Sequence, residues 1–213
     1  MKRRFIAVLA AASVLGLSAC GSGSPSSTGG TATGGAGGDS GLTKVSVGVI
    51  PIVDCAPIYL GDKQGFFKEE GLQLDIQTAT GGAAIVPGVV SGSFDFAFSN
   101  LISVMVAKDK GLDLKFVANG ASTTGEIGKD IGGVVVPSGS DIQSAKDLSG
   151  KTVSVNNLSN IGDTTIKSVV EKDGGDPNSV KFVEAAFPDA PAALANRQVD
   201  AAWILEPFLS KAV

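Results

Sequence analysis

Histidine is absent from the 213 residues, and cysteine, methionine, tryptophan and tyrosine are scarce, with two, two, one and one copies. Without imidazole, acid–base work falls to Asp, Glu, Lys or Tyr, and no paired-carboxylate or nucleophile motif stands out for it. No His/Cys cluster has metal-ligand spacing. Positive charge is short as well: 17 Lys and Arg stand against 21 Asp and Glu, and Lys2, Arg3 and Arg4 account for three of the 17. Beyond that start the balance is 14 bases to 21 acids, a net charge near −7, which argues against nucleic acid as a partner. After the N-terminal run no apolar stretch is long enough to span a bilayer as a helix.

What is present begins with a cationic start, Lys2 to Arg4, and an almost unbroken apolar run from Phe5 to Leu17. About 13 residues fall short of the roughly 20 that a spanning helix needs, and the pattern predicts a secretory signal over residues 1–19. Small residues Ser18 and Ala19 lead into Cys20. "LSAC" followed by Gly21 resembles the lipobox of bacterial lipoprotein precursors, which implies a diacylated Cys20 as the mature N-terminus. The other reading, Cys20 buried in a packed domain, meets a Gly/Ser/Thr segment from Gly21 to Gly41 that behaves as flexible coil. Residues 20–41 are therefore expected to be a lipidated leash with a reach of about 25 Å. With Cys20 modified, Cys55 stands alone and no intrachain disulfide can form.

Roughly 170 residues follow the leash, enough for one large or two small domains. Strand-like runs are read at Lys44–Ile50, Leu72–Thr78, Asp95–Ser99, Leu114–Asn119, Gly133–Val136, Thr152–Asn156, Val180–Ala185 and Ala201–Leu205. Helix-like stretches fall between most of them, at Ala56–Glu70, Ala83–Ser91, Leu101–Lys110, Thr164–Asp173 and Pro191–Arg197. The alternation predicts an α/β fold with a mostly parallel sheet and helices on both faces. Gly71, Gly111 and Gly174–Gly175 read as helix C-caps.

"VSVGVIPIVDCAPIYLGDKQGFFKEEGLQLDI", "GVVSGSFDFAFSN", "DLSGKTVSVNN" and "FPDAPAALANRQVDAAWILEPF", in that order, resemble the solute-binding proteins that serve nitrate, sulfonate, taurine and thiamin-pyrimidine uptake. The resemblance covers Val45 to Val213. It implies a two-lobed periplasmic-binding-protein type II fold, with residues 42–132 in lobe one, residues 133–213 in lobe two and a first hinge crossing near Gly132–Gly133. In that family the chain returns to lobe one after the second lobe, so a truncated sequence with an incomplete second lobe is expected. The resemblance implies no cofactor, a small-molecule solute, an ABC permease and ATPase as partners, and anchoring to the bacterial cell membrane from outside. Two alternatives stand beside it: a ligand-sensing partner of a membrane signalling receptor, and a yeast-type thiamin-pyrimidine synthase. The synthases consume an internal histidine and use a cysteine cluster, and this sequence has neither.

Ligands of open α/β sheets bind beyond the carboxyl ends of the strands, which selects the candidate residues. "PIVDCAPIY" places Asp54, Cys55 and Tyr59 on the rim after the first strand, or Pro51 and Pro57 merely shape a loop. Gly81 and Gly82 offer backbone N–H groups at a helix start, or make a plain turn. Ser99 and Asn100 end a short buried strand and begin a helix; they contact ligand, or Ser99 only caps that helix. Asn156 and Asn157, with Ser159–Asn160 after them, either donate to a ligand or cap and turn. Trp203 is a candidate contact or a core residue, and Glu206 a hydrogen-bond acceptor or a helix cap. Asp200 is placed at the strand start, away from the cleft. Arg197 lies in a helix, so a strongly anionic solute would depend on helix N-termini and amides. Asp54, Glu206, Tyr59 and Trp203 suit a nitrogenous or aromatic solute instead.

Overall fold

The computed structural model describes residues 41–213, so the expected signal, Cys20 and most of the leash lie outside the described residues. The chain runs β1 (Thr43–Val49), α1 (Ala56–Gln64), α2 (Phe66–Glu69), β2 (Leu72–Thr78), α3 (Gly82–Val90), β3 (Phe96–Ala97) and α4 (Leu101–Asp109). It continues as β4 (Gly132–Val135), β5 (Thr152–Val155), α5 (Ile161–Lys172), β6 (Lys181–Glu184), α6 (Ala190–Ala195), β7 (Ala201–Leu205) and α7 (Leu209–Ala212). Short 3-10 turns stand at Val53–Cys55 and Ala145–Leu148.

Two sheets result. The first has the order β2-β1-β3 and is parallel throughout, with β1 and β2 in register from Thr43 against Leu72 to Val49 against Thr78. The second has the order β4-β7-β5-β6, with β5 parallel to both β6 and β7 and β4 antiparallel to β7. The α/β class holds, and the departure from parallel pairing is confined to β4. That strand enters the second sheet directly from the long irregular stretch after α4, with no crossover helix to bring it in parallel.

Alternation along β5 explains how the second sheet is covered on both faces. Val153 and Val155 point to one side and pack with Ile166 and Val170 of α5, which recur four residues apart on one helix stripe. On the opposite face Ala202 and Ile204 of β7 pack with Ala190 and Leu194 of α6. Val153, Val155 and Val170 are fully buried, each contributing about 1.5–3 kcal/mol by removal from water. The core of the first sheet gathers Val47, Val49, Ile50, Ile52, Cys55 and Ile85. Phe187, from the loop after β6, is buried in the same cluster, so the two halves share apolar surface.

Several sequence expectations are corrected. The stretch Leu114–Asn119 is no strand: Phe116 and Val117 are exposed, and a lone extended segment without a paired neighbour has nothing to hold it. The run Asp95–Ser99 pairs only through Phe96 and Ala97, at a sheet edge where Phe96 is half exposed, so it is not a buried strand. The helix read over Ala56–Glu70 is interrupted at Gly65, whose φ of 85° stops α1 and restarts the chain as α2. Arg197 lies past the end of α6, at a φ of 54°, and not within the helix.

Candidate functional site

The carboxyl ends of the parallel strands in the two sheets deliver polar residues to one another. From the first sheet come Thr80, Gly81 and Gly82 after β2, and Ser99 and Asn100 after β3. From the second come Asn156, Asn157 and Asn160 after β5. Asn156 donates from Nδ2 to the carbonyl of Thr80 at 3.1 Å. Asn100 donates from Nδ2 to Asn160 Oδ1 at 2.8 Å, and Asn160 donates from Nδ2 to Ser103 Oγ at 2.9 Å.

Local sequence explains why these amides stand where they do. Asn100 is the N-cap of α4, its Oδ1 accepting from the Ser103 N–H at 3.0 Å. Asn160 caps α5 in a reciprocal box with Asp163, whose carboxylate accepts from the Ser159 and Asn160 N–H groups at 2.6 and 2.8 Å. Each cap turns its oxygen to its own helix and its NH2 group toward the other half, and Asn160 Oδ1 also accepts the Asn100 amide. The sequence leaves ligand contact and capping of α4 as the alternatives at Ser99; the cap is Asn100 instead, and the same side chain also bonds Asn160.

Two glycines allow the approach. A Cβ at Gly81 would lie 2.0 Å from Asn157 Oδ1 and 2.3 Å from Asn156 Nδ2. A Cβ at Gly82 would lie 2.5 Å from Ser99 Oγ and 2.8 Å from Ser103 Oγ. The head of α3 therefore sits against polar side chains of both sheets, with no side-chain cap on its own N-terminus.

Among the described residues four buried side-chain oxygens lack a hydrogen-bond partner: Asp54 Oδ2, Ser99 Oγ, Asn157 Oδ1 and Ser154 Oγ. Ser154 belongs to the middle of β5, and the other three lie at strand ends. A buried polar atom without a partner forgoes about 1–3 kcal/mol, and three such atoms follow the carboxyl ends of strands. Burial holds the Asp54 carboxyl above its ordinary value of 3.8, and the charge of Asp130 adds to the rise. Asp130 itself is held below that value by the Thr123 hydroxyl and then by the Ile131 N–H.

The remaining candidates are placed less centrally. Cys55 does not stand on the rim: it is 0 % exposed in the first core, and burial pushes its thiol up to about 11. The small thiol fills apolar space under the turn that carries Asp54. Tyr59 is part exposed on α1, and its phenol is raised first by burial. Trp203 packs against both the first core and the cluster around Val153, with its ring 5.6 Å from that of Phe187. The Glu206 carboxylate accepts from Ser210 N at 3.1 Å and Ser210 Oγ at 2.8 Å, which ties it to α7. Its backbone carbonyl accepts from the Val53 N–H at 2.9 Å, beside Asp54. Asp200 accepts from the Thr152 N–H at 2.7 Å, at the opposite strand end.

The structure thus brings Gly81, Gly82, Ser99, Asn100, Asn156 and Asn157 into one cluster, joins the turn that carries Asp54 to the Glu206 backbone through Val53, and leaves Tyr59 apart. Thr80, Ser103, Asp163 and Phe187 were missed. Thr80 acts through its carbonyl and Ser103 lies inside a helix, so neither residue type carries a signal there. Asp163, three residues after Asn160, fits the capping-box spacing and was legible. A hollow of about 470 Å³ along β6 and α6, lined in part by Glu184, Asp189 and Gln198, lies away from this cluster. No group of His, Cys, Asp and Glu among the described residues is arranged to hold a metal ion.

The family model for NMT1/THI5-like proteins matches residues 52–208. The formylaminopyrimidine-binding protein of Halalkalibacterium halodurans is 27% identical over 144 residues, which cover 68% of this chain and 41% of that protein. The 4-amino-5-hydroxymethyl-2-methylpyrimidine phosphate synthase of Schizosaccharomyces pombe is 22% identical over 144 residues, 68% of this chain and 39% of that one. The alkanesulfonate-binding protein SsuA from Xanthomonas axonopodis pv. citri, solved with MOPS bound, superposes with a TM-score of 0.66 at 21% identity. That match covers 78% of this chain and 56% of SsuA, and it shows a common fold. The chain spans about two fifths of the length of these two curated relatives.

Proposed function

The chain belongs to the NMT1/THI5-like family, and on that premise we propose that it is an extracytoplasmic solute-binding protein that hands a small molecule to an ABC permease and ATPase. The observation that carries the reading is the trio of buried oxygens without partners, Asp54 Oδ2, Ser99 Oγ and Asn157 Oδ1, at the strand ends where open α/β sheets take ligands. Such atoms are costly unless a bound group supplies their missing hydrogen bonds.

The chemistry of the trio also argues for a solute class. Asp54 and Asn157 present oxygens, Ser99 presents a hydroxyl, and no Lys or Arg stands among the clustered residues. Acceptors without cations suit a solute rich in N–H donors, such as an aminopyrimidine or another small nitrogenous compound. A sulfonate or nitrate would bring negative charge toward Asp54, with only backbone N–H groups at the head of α3 to receive it. The sequence similarity to a formylaminopyrimidine-binding protein agrees with this choice.

Delivery from outside the membrane rests on the reading of residues 1–41. Cys20 carries the lipid, and the leash keeps the binding domain near the permease. Mass spectrometry of protein made in a bacterial host is expected to show an acylated Cys20 at the N-terminus; an unprocessed N-terminus overturns the anchoring. A thermal-shift series with a formylaminopyrimidine, other amines, taurine, MOPS and nitrate tests the solute class. Stabilisation by the nitrogenous compounds is expected, and stabilisation by the anions alone contradicts it.

A further inference from the structure

Three side-chain hydrogen bonds join the two halves, beside the backbone bond from the Val53 N–H to the Glu206 carbonyl: Asn156 to the Thr80 carbonyl, Asn100 to Asn160, and Asn160 to Ser103. The last is buried on both sides, with Ser103 4 % and Asn160 3 % exposed. None of the three uses Asp54 Oδ2, Ser99 Oγ or Asn157 Oδ1. The bonds that hold the sheets together and the buried oxygens left without partners therefore involve different atoms. Phe187 adds an apolar contact of the same kind, buried in the first core from a loop of the second half.

We infer that Asn100, Ser103, Asn156 and Asn160 form a latch that holds the two sheets together without any solute. The sheets of this chain accordingly populate their joined arrangement at rest, in which Asp54 Oδ2, Ser99 Oγ and Asn157 Oδ1 are buried, and a solute reaches them through the parted form. Each neutral bond of the latch shifts the joined-to-parted ratio by about two- to twelvefold. The latch depends on glycine at position 81. Its φ of 172° is extended backbone that any residue adopts, so a methyl there leaves the parted form unstrained. In the joined form the same methyl meets Asn157 Oδ1 and Asn156 Nδ2, both on short, buried side chains. Gly81→Ala is thus a wedge that acts on the joined form alone.

The single tryptophan reports the outcome without labels. Trp203 packs against the Val153 cluster and against Phe187, which is buried in the core of the first sheet, so parting the sheets uncovers the Phe187 side of the pair. In the full chain, with no solute added, wild-type Trp203 is expected to emit at short wavelength and to resist acrylamide. Gly81→Ala is expected to shift the emission to the red and raise the quenching constant, with far-UV circular dichroism unchanged. Ser103→Ala and Asn100→Asp, which keeps the α4 cap while removing the Nδ2 donor, are expected to move both readouts in the same direction by less. A Gly81→Ala protein with wild-type emission and quenching overturns the latch, as does a wild type already as accessible as the wedge variant. Should Gly81→Ala lose its circular dichroism, Ser103→Ala and Asn100→Asp decide: wild-type fluorescence in both overturns the proposal. The outcome does not depend on what the site binds, so it stands or falls apart from the solute assignment.

Discussion

The side-chain amide of Asn160, at the head of α5, donates to the hydroxyl of Ser103 in α4 at 2.9 Å, across 57 residues of sequence and out of reach of water. One residue thereby caps a helix of the second half and bonds a helix of the first. The strand ends that a solute would approach are positioned by helix capping, so the stability of α5 and the geometry of the site are coupled.

That coupling is tested at Asp163. Its carboxylate accepts from the Ser159 and Asn160 N–H groups. Asp163→Ala is expected to cost about 0.5–2 kcal/mol, the range for loss of a capping side chain, read from urea unfolding. A variant as stable as wild type shows that the box does not hold the head of α5.

Asp54 makes a pH-dependent prediction. Its carboxyl is raised in the folded protein, first by burial and then by the charge of Asp130, so the folded state binds the proton more tightly than the unfolded one. Stability from this group is complete below the ordinary value of 3.8 and is lost as pH rises through the folded value. At pH 7 the charged form is therefore a burden on the fold. Asp54→Asn is expected to melt higher than wild type at neutral pH, with the difference vanishing toward pH 3.5, while solute binding weakens. A lower melting temperature at pH 7 contradicts the burial of that charge.

Cys55 is expected to be inert. The thiol is fully buried and pushed up to about 11, so the thiolate that reacts with disulfide reagents is scarce and shielded. Ellman's reagent at pH 8 should modify Cys55 only after denaturant is added. Rapid modification of this thiol in the native protein returns it to the rim.

Elements with a strong local pattern were legible in the sequence. Leu72–Thr78 and Ala201–Leu205 are strands over the residues read: the first alternates apolar and polar residues in step with burial, and the second is a short continuous apolar run covered on both faces. Leu114–Asn119 carries the same residue types but has no neighbour to pair with, and pairing is not a local property. The polar cluster was legible through the rule that ligand sites lie at strand carboxyl ends, which selected Ser99, Asn100, Asn156 and Asn157. What one sequence did not reveal is which chemical group of each residue works. Thr80 contributes a carbonyl, Asn100 splits its amide between a cap and a cross-sheet bond, and Cys55 serves the core two residues from an exposed Val53. These depend on how two sheets distant in sequence meet.

On the proposed reading a solute bridges the two sheets through Asp54, Ser99 and Asn157. Its most direct test is titration calorimetry of wild type, Ser99→Ala, Asn157→Ala and Asp200→Asn with whichever compound of the thermal-shift series stabilises most. Losing one buried hydrogen bond to a solute costs about 1–3 kcal/mol, so the first two variants are expected to bind roughly 5- to 150-fold more weakly. Asp200→Asn, at the far end of the strands, is expected to bind like wild type. Wild-type affinity in both Ser99→Ala and Asn157→Ala, with binding weakened in Asp200→Asn, would place the solute at the opposite end of the sheets and contradict the assignment.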